Sequence, residues 1–139
     1  MSATPPSENV RLLERMYDAW HAGDLPRVFD LLDPEFEWVN PDHAVEPGTR
    51  HGHDGFAEAM ANLDSSFEHQ THLLGEVEDL GDRVLWHTIF QARGHSGAQI
   101  EVAEQHLWTL RDGKILRMRW FHDADEARRA AGLDSPDDE

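Results

Sequence analysis

With 139 residues and no cysteine, the chain fits one domain with one core, and disulfides, thiolate metal ligands and a cysteine nucleophile are excluded. Its formal charge of −16 repels phosphate backbones and anionic membranes, which excludes nucleic acid as a partner and requires that any anionic substrate be held by a few local arginines. No run approaches the roughly 20 apolar residues of a membrane span, and no basic-then-apolar leader opens the chain, so a cytoplasmic protein is expected.

Ser7 is placed to cap a first helix, along which Val10, Leu13, Tyr17 and Trp20 recur at three- and four-residue steps as one apolar stripe. Gly23 suits the left-handed stop after it, and Asp24 then caps a second helix with Pro26 in its first turn. Phe36 to Asn40 reads as a short strand, the segment from His43 to Gly52 as a loop, and Asp54 as the cap of a third helix carrying Phe56, Ala59, Met60 and Leu63. Four long β-prone runs follow, at about Glu68–Val77, Arg83–Arg93, Ala98–Leu110 and Lys114–His122, joined by short Gly-containing turns. Such runs predict an antiparallel meander. Asp123 to Leu133 suggests a last short helix, and the acidic tail Asp134–Glu139 is expected to be disordered. This order of elements argues for α+β packing, with residues 1–133 as one domain whose helices cover one face of a curved sheet and leave a cone-shaped interior for a small molecule.

The runs Tyr17-Asp18-Ala19-Trp20-His21-Ala22-Gly23-Asp24-Leu25, Asp33-Pro34-Glu35-Phe36-Glu37-Trp38, His51-Gly52-His53-Asp54-Gly55 and Trp108-Thr109-Leu110-Arg111-Asp112-Gly113-Lys114-Ile115 resemble the nuclear transport factor 2-like superfamily. So does the ending Glu126-Ala127…Ala131-Gly132-Leu133. Within that superfamily the likeness is to its SnoaL-like and ketosteroid-isomerase-like proteins. The resemblance covers nearly the whole chain. It implies a cystatin-like roll, no cofactor, no metal, and homodimers formed through the outer face of the sheet. The steroid isomerases use an aspartate base with an oxyanion hole of tyrosine and protonated aspartate. Aligned through Ala22-Gly23-Asp24 and Gly113-Lys114, those three positions fall at Asn40, Met16 and Gln105, which cannot perform that mechanism.

The same register, carried along the strands by alternation, sends Trp38, Asn40, Leu85, His87, Ile89, Gln91, Ala103, Gln105, Leu107, Met118, Trp120 and His122 inward. His87 and His122 are then the candidate acid or base, and Asn40 and Gln105 the groups that hold a substrate oxygen. Met16, Tyr17, Trp20, Trp38, Phe56, Met60, Ile89, Gln91, Met118 and Trp120 complete the expected binding wall. Glu104 and His106 look like an acid–base pair but fall on the outer face, where Trp86, Trp108 and Phe121 would serve as dimer-interface aromatics. His51-Gly52-His53 raises a metal question, although its loose spacing suits a polar loop before a helix cap better. The expected activity is that of a cofactor-independent isomerase, cyclase or lyase on a cyclic carbonyl or polyketide-like metabolite. The alternatives are a non-catalytic binder of a hydrophobic metabolite and, ranked last for want of an inward acid, an epoxide or ester hydrolase.

Overall fold

The computed structural model describes residues 7–41, 44 and 48–133, so the expectation for the acidic tail lies outside the described residues. Four helices, α1 (Glu8–His21), α2 (Leu25–Leu31), α3 (Gly52–Ser66) and α4 (Ala124–Ala130), accompany six strands. The strands are β1 (Leu32–Asn40), β2 (Gly48–His51), β3 (Phe67–Asp79), β4 (Arg83–Gly94), β5 (Gln99–Arg111) and β6 (Lys114–Phe121). Local chemistry sets the helix ends: the Ser7 hydroxyl accepts from the Val10 N–H, the Asp24 carboxylate accepts from the Arg27 N–H, and Gly23 takes φ +74° after α1.

The six strands form one curled sheet in the order β2-β1-β6-β5-β4-β3. β3 through β6 are the expected antiparallel meander, and β1 closes against β6 in parallel. Two features depart from the sequence reading. Thr49 to His51, read as loop, pair with β1 as the edge strand β2. The helices also lie on both faces. α1, α2 and α3 contribute to a core with Phe36, Trp38, Trp86, Trp108 and Met118, whereas Ala127 of α4 packs on the opposite face against Leu85, Leu107 and Phe121.

The decisive local feature is in β6. Below the Asp112-Gly113 turn the hairpin pairs Arg111 with Lys114 and Leu110 with Ile115, but the next pairs are Thr109 with Arg117 and Trp108 with Met118. Leu116 is the extra residue of a β-bulge, and a bulge of one residue reverses which side chains share a face beyond it. Continued without the bulge, the turn register would set Leu107 opposite Met118 and Gln105 opposite Trp120, which is the inward set expected from the sequence. Instead His106 faces Trp120, and Gln105 faces Phe121. The alternation of β1 and β6 holds as expected; that of β4 and β5 is exchanged.

α3 is tied closely to β2. A Cβ built on Gly55 would lie 2.8 Å from the backbone carbon of Arg50 and 3.0 Å from its Cβ. Backbone cannot yield as a flexible side-chain tip does, so Gly55→Ala is expected to cost about 1–3 kcal/mol by overpacking. Urea unfolding checks this, and an unchanged midpoint would refute the close approach.

Candidate functional site

A cavity of about 660 Å³ lies between the sheet and α1 and α3. Its aromatic walls are Trp20 of α1, Trp38 of β1, Phe67 of β3, Phe90 of β4 and Trp120 of β6, with Ile100 and Val102 of β5 on the β5 side. Polar groups line it as well: Asn40, Arg50, His72, Glu104 and His122, together with Asn62, Ser65 and Ser66 of α3.

Of the residues expected to line a site, Trp20, Trp38, Asn40, Trp120 and His122 do so. Met16, Tyr17, Phe56, Met60 and Met118 are buried in the core beside the pocket rather than exposed to it. His87, Ile89, Gln91 and Gln105 are corrected by the Leu116 bulge: they sit on the other face of the sheet. There His87 Nε2 pairs with Glu78 Oε2 at 2.8 Å, and Gln91 donates to Glu101 at 3.0 Å. Ile89 is exposed beside Leu73, and Gln105 is buried with its Oε1 unpartnered. The same correction turns two of the expected interface aromatics, Trp86 and Trp108, into the core; the third, Phe121, keeps its outer-face position but is buried there against Ala127 and Ala131 of the α4 end. The His51-Gly52-His53 segment departs from its polar-loop reading: His51 ends β2 and takes the cap position of α3, which begins at Gly52 rather than after Asp54, and His53 stacks on Phe29 within 3.3 Å of the Leu32 carbonyl.

Asn40 has a different task from holding a substrate oxygen. Its Oδ1 accepts from the indole N–H of Trp38 and of Trp120, both at 2.8 Å. One amide oxygen thereby fixes the orientation of two rings on the pocket wall.

The group of residues that sequence reasoning placed outside lies at the inner end of the pocket. Glu104 Oε1 stands 2.6 Å from His106 Nε2 and 3.3 Å from His72 Nε2. His106 Nδ1 meets the Tyr17 hydroxyl at 2.6 Å, and the Trp108 indole nitrogen donates to that hydroxyl at 2.9 Å. Donor inventory orders these contacts. An indole N–H can only donate, so Tyr17 receives it; an ionised carboxylate can only accept, so His106 Nε2 donates to Glu104, and Nδ1 of the neutral ring is left to accept the Tyr17 proton. Burial pushes the Tyr17 phenol well above its ordinary pKa, which keeps that donor protonated.

The other side of the cluster is set by the sheet edge. β3 is a terminal strand, and the backbone N–H of His72 turns outward to His21 Nε2 at 3.2 Å. His21 Nε2 also lies 3.1 Å from His72 Nδ1. Because the backbone N–H is a fixed donor, His21 Nε2 is an acceptor and the proton between the rings belongs to His72 Nδ1. His72 Nε2 then presents a lone pair to Glu104. Burial lowers the His72 pKa to about 4, against the influence of Glu104, so the ring is neutral at pH 7. For Glu104, burial favours the protonated form, but the hydrogen bond from His106 leads the influences that outweigh it and hold the carboxyl far below the ordinary range. The site at neutral pH is an ionised carboxylate beside an imidazole with room for one more proton.

Ligand-type atoms of His72, Glu104 and His106 lie within 4.8 Å of one another, a spacing a divalent cation could bridge. With the His106 proton on Nε2 and directed at Glu104, the arrangement as it stands is a proton network.

A family model described as SnoaL-like domain matches residues 13–118. No curated protein matches the sequence. Among solved structures, TerC co-crystallised with polyporic acid is 25% identical with a TM-score of 0.77, the match covering 88% of this chain and 97% of that one. An NTF2-like protein of unknown function from Burkholderia pseudomallei K96243 is 24% identical with a TM-score of 0.77, covering 89% and 97%. A protein from Jannaschia sp. CCS1, described as a SnoaL-like polyketide cyclase, is 21% identical with a TM-score of 0.74, covering 98% and 99%. With three-quarters of its length matched by the family model and its curled sheet shared with these structures, the chain belongs to the SnoaL-like domain family, within the NTF2-like fold.

Proposed function

We propose that the protein is a cofactor-independent isomerase, cyclase or lyase that moves a proton on a cyclic carbonyl or polyketide-like metabolite. The observation that carries this reading is Glu104, a carboxylate on the wall of an aromatic pocket whose partners leave an imidazole lone pair beside it. A flat substrate lies against Trp20, Trp38 and Trp120 with an acidic C–H directed at the carboxylate. The C–H bond breaks, its electron pair moves into the adjacent carbonyl, and the proton passes through Glu104 toward His72 Nε2. The resulting imidazolium–carboxylate pair returns the proton to another substrate atom. A base that stores a proton only between two substrate positions tolerates a low affinity for it, because release to solvent is never required. Co-crystallisation of TerC with polyporic acid and the likeness to the Jannaschia protein, described as a SnoaL-like polyketide cyclase, support a small organic molecule as occupant.

A binding protein without chemistry is the second reading. The feature that favours it is the deep depression of the Glu104 carboxyl, which makes a weak base. Hydrolysis of an epoxide or ester loses the ground on which it ranked last, since Glu104 is an inward acid. It still lacks a second carboxylate among the described lining residues.

Incubation of 2-tetralone with the protein in D2O, followed by NMR, separates the first two readings. Accelerated exchange of the α-hydrogens is the expected outcome. A ligand that binds yet keeps its hydrogens at the uncatalysed rate would sink the enzyme and leave the binder.

A further inference from the structure

The pocket is polarised, and its charges lie on different walls. Glu104 belongs to β5, while Arg50, the one lysine or arginine among the described lining residues, belongs to β2. In the sheet order β2-β1-β6-β5 these strands are three steps apart, roughly 14 Å along the curled surface and less across it. Arg50 is a built feature. Its backbone pairs with Trp38 in the ladder, Gly55 of α3 packs directly on it, and its side chain is 19% exposed. Its guanidinium, which carries five N–H donors, also reaches the 64% exposed Glu58 at 3.8 Å. In a chain of charge −16, an anion entering this pocket is repelled by the surface at large and by Glu104 at the inner end. Among the described lining residues, Arg50 is the one that carries a permanent positive charge.

We propose that Arg50 forms an anion subsite, and that the substrate is a flat, at least bicyclic molecule bearing a carboxylate or equally acidic oxygen at the end remote from the reacting carbon. This inference rests on the acid–base pocket proposed above and adds the substrate's charge and orientation to it. The carboxylate pairs with the guanidinium through parallel N–H···O bonds. The rings lie along Trp38 and Trp120, and repulsion between the two carboxylates excludes the reversed pose. The ladder pairing of Trp38 with Arg50 places the stacking ring and the cation side by side, so one ligand engages both.

The test uses 2-naphthoate and 2-naphthamide, which share shape and ring but differ in charge, titrated calorimetrically into the full chain at pH 7.5. The wild type is expected to bind the carboxylate at least about tenfold more tightly than the amide. Arg50→Met is expected to bring that ratio near one while the amide affinity changes less than about threefold, and Arg50→Lys to retain an intermediate ratio, because it keeps the charge without the planar fork. Equal affinities in the wild type, or a ratio that survives Arg50→Met, would overturn the subsite and leave the pocket reading standing. Failure of both ligands to bind the wild type would overturn the two together. Should Arg50→Met unfold, a ratio unchanged in Arg50→Lys is the refuting result.

Discussion

Glu104→Gln is expected to reduce catalysed proton exchange at least 100-fold while changing the affinity for unreacted ligand less than about tenfold. Glutamine has nearly the same shape, and its carbonyl oxygen can still accept from His106 Nε2, so the Tyr17–His106 arrangement survives. What disappears is the negative charge that draws the substrate proton and the partner that would stabilise a protonated His72. The variant therefore separates chemistry from binding. Exchange kinetics by NMR and ligand affinity by calorimetry, both at pH 7.5, are the two readouts. A rate within threefold of wild type would remove Glu104 from the mechanism, and an equal loss of rate and affinity would reduce it to a binding contact.

The second large effect is on stability toward acid. In the folded chain the His72 pKa is about 4, against 6.5 for the free side chain. Between these values the unfolded chain binds a proton that the folded chain refuses, so stability falls as pH is lowered from 6.5 toward 4. A gap of this size corresponds to about 3 kcal/mol at its full extent. Burial also lowers the His21 pKa, which acts in the same direction below 6.5. Glu104 continues the trend. Its folded pKa is depressed, so its contribution is present above its unfolded value near 4.5 and is lost as pH falls below that. Urea unfolding at pH 7, 6, 5 and 4 should show a monotonic loss, and His72→Gln should flatten the slope between pH 6.5 and 4.5. A wild-type curve that is flat from pH 7 to 5 would contradict the buried neutral imidazole.

The helices and the meander were legible because their signals are local. Ser7 and Asp24 are caps, Gly23 is a stop, and the turns between the long strands carry glycine. The Trp38–Asn40 and Trp120 walls were legible too, since β1 and the upper half of β6 keep the expected alternation. The acid–base group was not. Glu104 and His106 stood out as a pair, but counting inward from the Asp112-Gly113 turn passes through Leu116, whose doubled position carries no residue-type signal. His72 was invisible for another reason: its partners Glu104 and His21 lie 32 and 51 positions away, and a lone histidine on an edge strand has nothing beside it to mark it. Arg50 was hidden in a short edge strand of four residues, whose glycine and charged side chains read as loop.

The bulge at Leu116 makes the cavity's chemistry depend on a count rather than on a composition. Two complete linings are written on β4 and β5, one carrying Glu104 and His106 among tryptophans, the other carrying His87 among amides and aliphatic side chains, and the hairpin chooses between them. Point replacement would need several coordinated changes to convert one into the other, whereas loss or gain of one codon near the turn inverts the strand in a single event. Lineages built on this scaffold can therefore jump between chemically unrelated interiors without passing through half-converted ones, and a family aligned by its glycine turns alone will group together pockets that share no working side chain.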